Sequence, residues 1–114
     1  MADPIPFVSP AATGASEAPR LPFVAVTKAL GDPLRWALLR EMASGEPAMV
    51  VELARRVRKP ASLVSKHLAV LRKAGLVDIK QRLHFIPRPL IADPDRRVLD
   101  LGYCLLRLET MPDA

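Results

Sequence analysis

The chain has 114 residues, half of them apolar, a formal net charge of +5 and a sequence pI near 10. That length suits one small domain. The single cysteine excludes an internal disulfide and any four-thiolate metal site, and no apolar run reaches the ~18 residues that a membrane helix needs.

Residues 1–20 are rich in Pro, Ala, Ser and Gly without a period and are expected to form a flexible tail, with 21–109 the folded domain and 110–114 a second short tail. Met1–Pro10 has no basic stretch, and Pro4, Pro6 and Pro10 interrupt its apolar residues, so it does not resemble a secretory leader. A reducing cytoplasm, at the nucleoid, is the expected location. Phe23, Val24, Val26, Thr27 and Leu30 suit a short first helix. Gly31-Asp32-Pro33 marks a boundary. The Asp32 carboxylate can accept from free N–H groups of a first turn, and Pro33 at the first helical position gives up no bonded N–H. A helix is expected from there to about Ser44, carrying Leu34, Ala37, Leu38 and Met42 at helical spacing, Trp36 in the core, and Gly45 as its stop.

After Glu46-Pro47, residues 49–57 read as a short amphipathic helix with Arg55, Arg56 and Arg58 outward. Lys59-Pro60 is expected to open a longer helix, with Pro60 at its first position and Gly75 at its end. Val64, Leu68 and Leu71 form its apolar stripe, and Ser62, Ser65, Lys66, Ala69, Arg72 and Lys73 its opposite face. Leu76–Ile86 then suits two strands joined by a tight turn at Gln81 and Arg82. No glycine marks that turn, which leaves its register open. Residues 88–97 read as a loop. Val98–Leu108 fits either a strand or a helix; Gly102 favours strand.

Charge is concentrated in this middle. Residues 55–82 hold nine Lys or Arg and one acid, Asp78, while the rest of the chain is slightly acidic. Such clustering is the electrostatic footprint of a polyanion site, or a solvated face. A short helix, a tight turn and a longer helix make a helix-turn-helix, whose second helix can enter the DNA major groove, and the following hairpin can serve as a wing against phosphates or the minor groove. The expected fold is therefore mainly α with a small β-hairpin, a winged helix-turn-helix of order α-α-α-α-β-β plus a C-terminal strand or helix. Ser62, Ser65, Lys66, His67, Arg72, Lys80, Arg82 and His84 are the expected DNA-facing residues, with double-stranded DNA as partner. No glycine-rich phosphate loop or nucleophile–base pattern is present, which speaks against an enzyme.

Lys28-Ala29-Leu30-Gly31-Asp32-Pro33-Leu34-Arg35 resembles K-A-L-(A/G)-D-P-x-R. Glu52-Leu53-Ala54 matches a first helix-turn-helix segment. Ala61–Leu71 resembles S-x-V-S-x-H-L-x-V-L, and Arg72-Lys73-Ala74-Gly75-Leu76-Val77 resembles R-x-A-G-L-V. In that order these resemble the ArsR-type winged-helix regulators over about residues 23–86. The resemblance implies a homodimeric repressor or activator on an imperfect inverted repeat, often responsive to a signal; the sequence names no effector. Metal sensors of that family often carry Cys-x-Cys where this chain has Met49 and Val51, and a second metal site on a C-terminal helix uses a His that is absent beside Asp100 and Glu109. No metal site and no cofactor are expected. The dimer surface is expected to combine residues 22–30 with the C-terminal segment. Cys104 reads as a small buried residue, or alternatively as a redox switch. A second functional reading is a winged-helix module that pairs with a protein instead of DNA.

Overall fold

The computed structural model describes residues 21–110, so the expected tails fall outside the described residues apart from Thr110. Helix α1 spans Phe23–Ala29. Helix α2 spans Pro33–Met42 and begins as the sequence dictates. Asp32 is extended and its Oδ1 accepts from the Leu34 N–H at 2.7 Å, with Pro33 directly behind it. It ends two residues before Ser44, and Gly45 follows in the left-handed region at φ 95°. Trp36 is half-buried and packs against the core, and its Nε1–H donates to the Leu30 carbonyl at 2.7 Å.

Helix α3 spans Val50–Val57, and Glu52 Oε1 accepts from the Met49 N–H at 3.0 Å. Arg58 caps its C-terminus at φ 59° and turns the chain sharply. Helix α4 spans Ala61–Lys73. Pro60 stands before it as an extended N-cap, not as its first helical residue. Gly75 leaves α4 at φ 84°, and a β-carbon there would sit 2.8 Å from Leu21 Cδ2. The left-handed backbone is what favours glycine there, since the end of the Leu21 side chain can move aside.

The hairpin forms as expected. Strand β1 (Asp78–Lys80) pairs antiparallel with β2 (Leu83–Phe85), in the register Asp78–Phe85, Ile79–His84 and Lys80–Leu83. The two-residue connection Gln81-Arg82 has positive φ at both positions, 53° and 70°. Those are the angles that match the twist of a hairpin, reached here without glycine.

Beyond the hairpin the structure departs from the expected loop at 88–97. A 3-10 turn at Arg88–Leu90 leads into strand β3 (Ile91–Asp93), which pairs with β4 (Val98–Asp100), and β4 pairs with β5 (Leu105–Arg107). Asp93 Oδ1 accepts from the N–H groups of Asp95 and Arg96, both at 3.1 Å, and this side-chain turn replaces the irregular loop. The C-terminal segment is thus strand rather than helix. It is two strands, with Gly102 at φ 93° in the turn between them and its N–H held by Asp100 Oδ1 at 2.8 Å.

One apolar cluster joins these parts. Leu38, Leu39 and Met42 of α2, Leu53 of α3, Val64, Leu68 and Leu71 of α4 and Leu99 of β4 are fully enclosed, as is Leu108 just beyond β5. Helices α3 and α4 cross through a three-residue turn, α2 braces both, and β1–β2 follows α4. The fold is a winged helix-turn-helix, with a three-stranded meander after the wing.

Candidate nucleic-acid interface

Helix α4 divides into two faces. Val64, Leu68 and Leu71 have no exposed surface, and they hold one side of the helix in the core. Ser62, Ser65, Lys66, Arg72 and Lys73 are exposed and Ala69 is half-exposed. Their spacing of three and four residues puts them on one stripe about three turns long. Small hydroxyl residues lie toward its N-terminal end and cations toward its C-terminal end. The helix can therefore approach another surface closely at one end and neutralise charge at the other. Residues 30–80 match a helix-turn-helix domain family.

The match runs from the end of α1 through α2, α3 and α4 to the last residue of β1. A second comparison finds an uncharacterized HTH-type transcriptional regulator of Methanocaldococcus jannaschii, 34% identical over 56 residues, or 49% of this chain. The chain covers 63% of that relative's length.

Within the helix-turn-helix, α3 and the turn after it add Arg55, Arg58 and Lys59 as exposed cations, and Arg56 lies 4.0 Å from Glu41 of α2. Lys80 and Arg82 are exposed at the end of the wing. The ion pairs among the described residues involve Arg40, Arg56 and Arg96, so Lys66, Arg72, Lys80 and Arg82 have no carboxylate partner there.

The two histidines differ from expectation. His84 is 3% exposed and turned into the protein. The alternation of β2 places half-buried Leu83 and Phe85 on the other side of the ribbon, while the His84 ring packs inward against Arg72 of α4. His84 is therefore not part of the exposed surface on which the sequence reading placed it. Its Nε2 lies 3.0 Å from Arg72 Nη1. Burial first, and the Arg72 charge second, hold its pKa below the ordinary 6.5. His67 is half-buried, and its Nδ1 accepts from Arg35 Nε at 3.0 Å. It works as a tie between helices rather than as a free group on the exposed stripe.

Sequence reasoning assigned no role to Arg35. Besides His67 it donates through Nη1 to the carbonyls of Lys28 and Ala29, at 3.2 and 3.1 Å. One guanidinium thus joins the end of α1, α2 and the middle of α4. Its place in the D-P-x-R pattern was the only available signal, and a partner 32 residues away leaves no local trace in the sequence.

Cys104 is exposed, contrary to the expected burial. Its place in the β4–β5 turn keeps it out of the core. Partial desolvation, then the nearby Asp100 carboxylate, push its thiol pKa up, so it is a poor thiolate source at neutral pH. Among the described residues no group of three or more His, Cys, Asp or Glu side chains is arranged to hold a metal ion. Met49 and Val51 are exposed, Asp100 is engaged with Gly102, and Glu109 lies 3.9 Å from Arg96. No helix among the described residues is long and apolar enough to cross a membrane.

Proposed function

We propose that this chain is a sequence-specific DNA-binding transcriptional regulator of the ArsR type, acting in the cytoplasm as a homodimeric repressor on an imperfect inverted repeat. The exposed stripe of α4, continued by unpaired cations on the wing, carries this reading. Ser62, Ser65 and Lys66 approach base edges and phosphates in the major groove, and Arg72, Lys80 and Arg82 contact the backbone alongside it. The helix-turn-helix match over residues 30–80 and the relative named as a transcriptional regulator support it.

The dimer reading rests on exposed apolar surface on α1 and the β4–β5 turn. Phe23 and Val24 of α1 are 59% and 63% exposed, and Tyr103 is 43% exposed. The rings of Phe23 and Tyr103 meet edge to face with centroids 5.0 Å apart, so α1 and the β4–β5 turn present one patch. A second copy covering this patch would take its apolar surface out of water.

The test is a titration of the purified protein against the DNA upstream of its own gene, with excess random duplex, at two salt concentrations. A complex that survives competitor and weakens with salt is expected. No binding at either salt would reject the DNA reading in favour of a protein-pairing winged helix.

A further inference from the structure

His84 is the one buried polar side chain among the described residues. Its main chain is fixed from two sides. It pairs with Ile79 in β1, and it exchanges hydrogen bonds of 2.8 and 2.9 Å with Ala48, just ahead of α3. His84 as a whole is 3% exposed, so the enclosing atoms leave its ring little freedom. Nε2 lies 3.0 Å from Arg72 Nη1, and Nδ1 is buried without a partner. A guanidinium only donates, so Nε2 must accept and the ring proton must sit on Nδ1. A second ring proton would abolish the acceptor and set two cations together in a buried place.

The surroundings offer no compensating charge. Helix α4 brings Arg72 against the ring. Strand β1 brings Ile79 opposite it, with Asp78 and Lys80 exposed on the other side of the ribbon. The segment before α3 brings Ala48, and the first acid beyond it, Glu52, is engaged with the Met49 N–H. Arg72 in turn has no carboxylate among the described residues, and His84 is its only side-chain partner there.

We infer that neutral His84 is a positioning residue. It holds the Arg72 guanidinium in place at the C-terminal end of the recognition helix and couples that helix to the wing, so that the two meet DNA as one surface. This inference rests on the DNA-binding reading above. Without the acceptor, Arg72 has to be ordered when DNA binds, which lowers affinity about three- to tenfold.

The experiment is a double-mutant cycle on the duplex from upstream of the gene, with His84→Leu, Arg72→Gln and the pair, supported by His84→Gln and 15N NMR of the His84 ring. Each single change is expected to weaken binding, and the pair to be no weaker than the worse single. The glutamine side-chain oxygen can accept from Arg72, so His84→Gln should recover most of what His84→Leu loses. The spectrum should show Nδ1 protonated and Nε2 bare. Additive losses, a proton on Nε2, or a folded His84→Gln as weak as His84→Leu would each overturn the inference. Should His84→Leu fail to fold, the glutamine variant and the spectrum decide. A wild-type protein that binds no duplex would sink the DNA reading, while the ring tautomer still reports on the contact with Arg72.

Discussion

Arg82→Gln isolates the wing's contribution. Arg82 sits at the turn of the hairpin, exposed, at φ 70°, and without a carboxylate partner among the described residues. Glutamine is shorter but keeps an unbranched polar side chain, and Gln81 beside it already sits in the same left-handed region, so the turn itself is unaltered. What disappears is one cation. Each phosphate neutralised contributes about 0.9 to the slope of log K against log salt, through release of condensed counterions. At about 0.15 M salt one contact is then worth about fivefold in affinity, and two wings in a dimer about thirtyfold. The assay is fluorescence anisotropy of a labelled duplex between about 50 and 200 mM salt, with a thermal melt to show that the fold is intact. In the proposed dimer the slope should fall by about 1.8 in magnitude, with the melt unchanged. An unchanged slope in a folded variant would mean that the wing tip does not touch DNA.

Asp32→Ala removes the acceptor for the Leu34 N–H and should cost about 1 kcal/mol, read as a melting temperature lower by about 4–8 °C. Because the folded-state pKa of His84 lies below its unfolded value of 6.5, the unfolded chain binds the proton more readily. Stability should therefore be full above pH 6.5 and decline as pH falls from there through the depressed pKa of His84, and His84→Gln should flatten that decline in urea titrations at stepped pH. Cys104, with its raised pKa, should react with a thiol reagent more slowly than a free cysteine at neutral pH and speed up as pH rises, and Cys104→Ser should leave DNA binding unchanged.

The parts of the fold that were legible in the sequence are those written in local chemistry. Asp32-Pro33 announces a helix start because capping needs only two adjacent residues, and Gly45 and Gly75 announce stops because glycine adopts their positive backbone angles without strain. The faces of α4 followed from spacing alone. The missed parts depend on partners distant in sequence. His84 looked like an outward polar residue between Leu83 and Phe85, and its contact with Arg72, twelve residues away on another element, leaves no local trace in the sequence. Strand β3 is three residues long, too short for alternation to show, and it exists because β4 returns to pair with it. Cys104 looked like a core residue by type, but its turn lies at the surface.

The meander after the wing changes what counts as the unit of this protein. The stretch recognisable as helix-turn-helix ends at residue 80, yet the apolar cluster that encloses Leu38 and Leu68 also takes in Leu99, Leu101, Leu106 and Leu108. A fragment cut at the end of the recognisable stretch would keep the reading head and lose a wall of the room it is built into. The inheritable motif and the body that folds are of different lengths, and the difference is a piece of sheet whose outer turn carries Tyr103 to the edge of Phe23.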